Sequence, residues 1–284
     1  MESRRQGSRL ALNRGPLEGD RQKQSRNDTE ILAFYRTLLA AWGPQHWWPA
    51  HTPLEVIVGA FLTQNTAWTN VERALANLRA ANLLSLEAIR DIPLPDLERL
   101  IRPSGYFRQK AQRLKAFVTF LDRQHAGSLD NLFAQPTNHL REELLALNGI
   151  GPETADSILL YAGNHPVFVV DAYTRRILER HGILPQKADY DEIRQLFERA
   201  LTPAARKPKA ETRNETRRHR QNSTVNFPGT VHPPSVMSTA PRTALAQVYN
   251  DAHGLIVGIG KHYCRKSQPH CDGCPLQPFL PRSK

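Results

Sequence analysis

Sulfur is scarce in this chain: its 284 residues hold three cysteines, all within the last 21, and two methionines. Three thiols cannot complete a paired disulfide framework, so a reducing compartment is expected, with a local metal-type loop rather than cross-links. No run approaches the roughly 18 apolar residues that a membrane-crossing helix needs, and the Arg-rich first twenty positions lack the apolar stretch of a secretion signal. A soluble, cytoplasmic protein with no membrane partner is therefore expected. Strand-like alternation is also rare, Phe168-Val169-Val170 being its best example. The expected fold class is all-α with about ten helices.

Acidic residues are in deficit, with a formal net charge of +11, but the excess is unevenly placed. Residues 1–28 carry seven Lys/Arg against four Asp/Glu and residues 203–242 carry eight against two, which leaves only +2 for the rest. Nucleic-acid binding must accordingly rest on motifs, with the two basic segments adding affinity that is blind to sequence and weakened by salt. Residues 1–28 have no apolar periodicity and read as a disordered basic leader. Residues 203–242, rich in Lys/Arg, Asn, Thr, Ser and Pro, read as a disordered basic insertion.

Between and after these segments helical periodicity dominates. Leu32, Phe34, Tyr35, Leu38, Leu39 and Trp42 share one face until Gly43-Pro44 stops them. Thr52-Pro53-Leu54-Glu55 has the form of a capping box with proline at the first helical position, followed by the apolar run Val56 to Leu62. Further helices are expected near 69–81, 86–91, 95–102, 108–124, 138–147, 153–163, 172–181, 189–201 and 243–260.

The most informative stretch runs from Leu144 to Asp156, where a helix ends in Asn148-Gly149-Ile150-Gly151 and another begins at Pro152-Glu153-Thr154. Two glycines permit a tight turn, Ile150 can tuck between the helices, and the amides opening the second helix can hold a phosphate. Such a hairpin grips a DNA backbone without reading bases, although the Gly-x-Gly triplet alone fits a plain αα-corner equally well. Eighteen residues beyond Glu153 stands Asp171, in Val169-Val170-Asp171-Ala172-Tyr173-Thr174, at the start of another helix.

Together these motifs resemble the helix-hairpin-helix (HhH-GPD) DNA glycosylases typified by endonuclease III, over roughly residues 30–200 and again over about 243–276. The resemblance implies a two-lobed all-α fold with a cleft between the lobes and a C-terminal segment, 243–284, that packs on the N-terminal lobe. It also implies double-stranded DNA containing a damaged base as partner and Asp171 as the catalytic group, the chain acting as a monomer. Breaking a base–sugar bond develops positive charge on the deoxyribose, which a fixed carboxylate stabilises while it orients water. The plainer reading is that Asp171 only caps its helix.

Two departures refine the expectation. Relatives of endonuclease III carry at the position of Glu153 a lysine whose amine attacks the sugar. Glutamate cannot form that Schiff base, and no neighbouring amine is an evident substitute, so water is the expected nucleophile and the abasic product stays intact. Glu153 itself reads as a first-turn acid favoured by the helix dipole. The pairing of Trp47-Trp48-Pro49 with Gln64-Asn65-Thr66-Ala67-Trp68 is similar to the 3-methyladenine DNA glycosylase III subgroup, which implies an aromatic pocket for an alkylated purine. A methylated purine is cationic, suits π faces and departs readily. Trp47, Trp48, Asn65 and Trp68 are the pocket candidates and Gln64 the side chain expected to fill the gap left by a flipped base, against the alternative that the tryptophans are ordinary packing.

The cysteines follow Cys264-x6-Cys271-x2-Cys274 and match three of the four ligands of the family's [4Fe–4S] loop, with Leu280 at the fourth place. A cubane cluster wants four protein ligands, so the set is incomplete. No cofactor is required for the chemistry, zinc held with a histidine is a weaker option, and His262 and His270 have no spacing claim to the fourth position. Lys261, just before this loop, could reach DNA phosphate or the pocket, a solvated lysine being the plainer reading. The alternatives in function are an endonuclease III-like glycosylase for mismatched or oxidised bases and a non-catalytic DNA-binding module that keeps only the hairpin.

Overall fold

Thirteen α-helices and no β-strand make up the regular structure of the described residues, 18–206 and 234–281, in the computed structural model. They are α1 (Glu18–Trp42), α2 (Pro53–Thr63), α3 (Trp68–Ala80), α4 (Leu86–Asp91), α5 (Leu94–Leu100), α6 (Phe107–His125), α7 (Leu129–Phe133), α8 (Thr137–Ala146), α9 (Pro152–Ser157), α10 (Ala172–Arg180), α11 (Tyr190–Ala205), α12 (Val236–Thr239) and α13 (Ala244–His262). A π turn, Ile158–Ala162, continues α9.

Local chemistry sets the boundaries. The Thr52 hydroxyl accepts from the Glu55 amide at 3.1 Å, and the Glu55 carboxylate reaches back to the His51 amide at 2.9 Å, one residue beyond the usual capping-box partner. Ser85, Ser128, Asp171, Asp189, Ser235 and Thr243 cap later helices in the same way. Val167–Val170 is buried and extended without a sheet. Side chains replace the ladder: the Phe168 amide donates to Glu198 at 3.1 Å and the Val170 amide to the Tyr190 hydroxyl at 3.2 Å.

The helices divide into two lobes. In one, α2 is the hub, buried from Leu54 to Leu62, with α3, α6, α9 and the π turn packed around it. In the other, α13 is buried along most of its length and packs on α1, α10 and α11, so the C-terminal helix lies against the N-terminal one. Phe168 stacks on Phe197 with centroids 4.1 Å apart, and α13 also touches the π turn, which joins the lobes. Across the same boundary Arg141 of α8 donates to the fully buried Asp156 of α9 at 2.7 Å and to Asp191 of α11 at 2.9 Å.

The domain limits differ from expectation at both basic segments. Helix α1 begins at Glu18, so residues 18–28 are helical rather than a disordered leader; Asn27 donates to the Ile183 carbonyl and Asp28 pairs with Arg199. Apolar periodicity does not register this stretch because its contacts are polar. Likewise α11 runs through Pro203 to Ala205, and α12 docks through the Met237 amide on the Ala50 carbonyl at 3.0 Å. Residues 1–17 of the expected leader and 207–233 of the expected insertion lie outside the described residues. The short helices α7 and α12 are additions to the eleven helical stretches expected.

Removing Arg141 strands a buried carboxylate, which typically costs about 3–5 kcal/mol. Arg141→Leu is expected to lose stability of that order in urea denaturation, and a loss below about 1 kcal/mol contradicts the bridging role.

Candidate active site

The hairpin between α8 and α9 has one glycine that the turn demands. Gly149 sits at φ +83°, and a Cβ there would lie 2.0 Å from the Arg113 Nε. Ile150 is buried, and its amide closes the turn on the Leu147 carbonyl at 3.1 Å. Gly151 has an ordinary backbone and open space beyond its Cα, while Asn148 is exposed. Helix α9 starts without a side-chain cap, leaving its first-turn amides to an outside acceptor.

Beside the hairpin lies a cleft of about 820 Å³ lined from both lobes. Gly149, Gly151, Glu153 and Thr154 border it on one side, Asp171 and Tyr173 on another, and Trp47, Trp48 and Trp68 supply aromatic walls. The tryptophans contact one another edge to face, Trp48 lying 5.2 Å from Trp68 and 5.8 Å from Trp47 between ring centroids. Trp47 is seated by Gly254 of α13, where a Cβ would come within 3.1 Å of the Trp47 Cβ.

Asp171 both caps α10 and faces the cleft, so the two readings of this residue do not compete. Its Oδ1 accepts from the Thr174 amide at 2.7 Å and the Thr174 hydroxyl at 2.8 Å. Its Oδ2 faces His253 Nε2 of α13 at 3.5 Å. Behind the imidazole, His253 Nδ1 lies 2.6 Å from the hydroxyl of Tyr161, which the π turn carries. With Nε2 bearing the proton that faces the carboxylate, Nδ1 accepts from Tyr161. Burial acts to raise the Asp171 carboxyl, but His253 and the Thr174 donors outweigh it and hold the group below its ordinary range. A carboxylate kept ionised against an aromatic cleft is suited to stabilising positive charge on a sugar.

Several side chains make contacts that the sequence does not announce. Gln64, expected as the side chain that fills a flipped base's place, is tied to the hairpin: its Nε2 donates to the Gly149 carbonyl and the Thr154 hydroxyl, both at 3.0 Å, and its Oε1 accepts from Arg113 at 2.6 Å. Asn65, in the left-handed region at φ +51°, is the exposed neighbour. Glu153 is the first-turn acid of α9, as expected, and also lines the cleft. Lys261 is half-buried in the cleft rather than solvated, its Nζ 5.7 Å from the Trp47 ring centroid, and burial lowers its pKa. The cleft therefore does hold amines, contrary to the reading of the Glu153 neighbourhood in sequence.

A second amine, Lys110, is buried and donates to the Leu62 and Ser104 carbonyls and the Thr66 hydroxyl at 2.7–2.8 Å. Burial pushes its pKa down to about 8, with Arg113 adding to the shift. Sequence reasoning missed Lys110, Arg113, His253 and Tyr161, as well as Tyr106, the large aromatic that stands 68% exposed on the rim in a left-handed conformation. Exposure of an aromatic was the one signal available, and it appears only once the chain is folded.

The cysteine loop is clasped from α10. Arg176 donates to the Cys264 carbonyl at 2.6 Å, and Arg180 to the Cys264 sulfur at 3.2 Å. Cys264, Cys271 and Cys274 line one small cavity with His181, His270 and Leu280. Burial raises the Cys274 thiol, and the two neighbouring cysteines raise it further. His181 is turned to the Phe279 carbonyl at 3.2 Å and Leu280 offers no donor. Among the described residues no group of three or more His, Cys, Asp or Glu is arranged to hold a metal ion.

Comparison with known proteins places this geometry. Residues 58–203 match the family model of the HhH-GPD superfamily base excision DNA repair proteins, about half of the chain. The chain belongs to that superfamily. A candidate DNA repair glycosylase of Methanocaldococcus jannaschii is 39% identical over 250 residues, covering 88% of this chain and 94% of that one. The crystal structure of the H. pylori 3-methyladenine DNA glycosylase bound to 1,N6-ethenoadenine superposes with a TM-score of 0.60 at 32% identity, over 82% of this chain and 97% of that one. An endonuclease III–DNA covalent intermediate has the same fold, with a TM-score of 0.63 at 18% identity over 89% and 95% of the two chains. This HhH-GPD protein is accordingly a DNA repair glycosylase whose partner is DNA.

Because His253 holds Asp171 ionised, His253→Leu is expected to move the acid limb of base release to higher pH. A single-turnover pH–rate profile reads this, and an acid limb that stays in place refutes the link.

Proposed function

We propose that this HhH-GPD protein is a monofunctional glycosylase that hydrolyses the bond between deoxyribose and an alkylated purine flipped out of duplex DNA. The reading rests on one observation above the others: Asp171, held in its ionised form, faces an aromatic cleft that opens beside the hairpin. The hairpin fixes the DNA backbone and the tryptophans receive the flat base. As the C1′–N bond stretches, Asp171 stabilises the sugar cation, and water adds at C1′.

Trp47, Trp48 and Trp68 favour a cationic base, whose charge is attracted by π faces and whose departure needs no protonation. Glutamate at position 153 favours water over an enzyme amine as nucleophile. Lys110 is committed to three acceptors, and the Lys261 amine is drawn over Trp47. We further propose that the cysteine loop serves as a hook clasped by Arg176 and Arg180 and works without a cluster, since its donors fall one thiolate short.

Replacing Asp171 by Asn removes the charge while keeping a capping oxygen. Release of 3-methyladenine from alkylated duplex is expected to fall by about 10²–10³-fold, with DNA affinity retained. Unchanged release contradicts the assignment of Asp171. Borohydride is expected to trap no covalent complex of the wild type; a trapped complex lost in Lys261→Ala assigns a lyase amine instead. Iron and acid-labile sulfide are expected to be absent from the purified protein, and four of each per chain overturns the metal-free hook.

A further inference from the structure

The cleft contains a second carboxyl that stabilising the sugar cation leaves unused. Glu153 opens α9 directly after the hairpin and lines the same cleft as Asp171 and the three tryptophans. Its carboxyl makes no hydrogen bond and no ion pair with any described residue, although almost every other polar side chain nearby is tied down. Gln64 is held by the hairpin and Arg113, Lys110 by three acceptors, and Thr154 by Gln64. A carboxyl left free in a base-sized cleft, open to water on one side and surrounded by protein on the others, is placed to meet a ligand.

We propose that Glu153 is the general acid that protonates the departing base, which extends the substrates of this cleft from cationic alkylated purines to uncharged purine lesions. The inference rests on the reading of the cleft as a base pocket. It supplies what that reading lacks for a neutral base: a cationic purine leaves as a neutral molecule, whereas an uncharged one must carry away the electron pair of the C1′–N bond as an anion unless a proton arrives.

The electrostatic surroundings suit the role. Asp171 and Arg175 face Glu153 from α10, His253 from α13, Tyr161 from the π turn and Tyr190 from α11. Glu153 keeps part of its side chain open to water, yet desolvation by the surrounding cleft walls and then the Asp171 charge push its carboxyl up to about 7, against the opposing pull of His253 and Arg175. Asp171 moves the other way. Two carboxyls whose surroundings drive them apart divide into a proton donor and a fixed anion. In the reaction the Glu153 proton passes to a ring nitrogen of the base as the C1′–N bond breaks and its electron pair leaves with the base. Asp171 stabilises the cation, water bonds to C1′, and a proton of that water restores Glu153, so the products are the free base and an intact abasic sugar.

The test compares single-turnover release of 7-methylguanine, a cation, and 1,N6-ethenoadenine, a neutral base, from duplex oligonucleotides across the neutral pH range. With wild type, release of the neutral base is expected to fall as pH rises through about 7, a step absent for the cation. Glu153→Gln is expected to remove that step and to reduce release of the neutral base about 10²-fold more than release of the cation at acidic pH. Equal losses on both bases, or no release of 1,N6-ethenoadenine by wild type while 7-methylguanine is released, overturn the general acid and leave the alkylpurine reading standing. Failure to release both 7-methylguanine and 3-methyladenine overturns the alkylpurine reading itself. Glu153→Gln also removes a charge that the folded state disfavours above neutrality, so it is expected to melt no lower than wild type in mildly alkaline buffer; a lower melting temperature contradicts the disfavoured charge.

Discussion

A carboxylate inside a protein is expensive unless its lone pairs are answered, and the segments around the cleft answer those of Asp171. The amide and hydroxyl of Thr174 take one oxygen, and His253, backed by Tyr161, faces the other. These partners come from three separate segments, α10, α13 and the π turn, so the state of Asp171 depends on tertiary packing and not on its own helix alone. Capping immobilises Oδ1 through Thr174, which leaves Oδ2 turned to His253.

The remaining polar network serves position rather than chemistry. Gln64, Arg113 and Lys110 tie the end of α2, the loop after it and the start of α6 to the hairpin, so the turn and the aromatic walls are joined through one hydrogen-bond network. Arg141 does the same on the far side of α9 through Asp156 and Asp191. On the proposed reading of the cleft such a network matters, because a misplacement of about 1 Å between anion and sugar forfeits much of the advantage of proximity.

Much was legible along the chain because it is written in neighbouring residues. The boundaries of α2, α4, α6, α8, α10 and α11 follow caps, prolines and periodic apolar positions that act within a few residues of one another. The hairpin is equally local: Gly149 is required by its own backbone angle, and Asp171 caps a helix with a donor three residues on. The aromatic walls were found as a motif, since Trp47, Trp48 and Trp68 flank one helix, and all three border the cleft.

What the linear pattern left open, or pointed the wrong way, depends on contacts between distant segments. His253 lies in an apolar stretch of α13 that reads as core, and only its approach to Asp171 distinguishes it from a packed histidine. Gln64 has the identity of a base-replacing side chain, but the hairpin and Arg113 claim its amide. Lys261 reads as a solvated charge and Glu153 as a first-turn acid; the other helices that wall the cleft, and the charge of Asp171, are what shift their proton affinities. Helix boundaries depend on short-range hydrogen bonds and side-chain spacing, which one segment contains in full. Proton affinity and side-chain commitment depend on the field and the partners that the whole folded surround supplies, and no segment carries those alone.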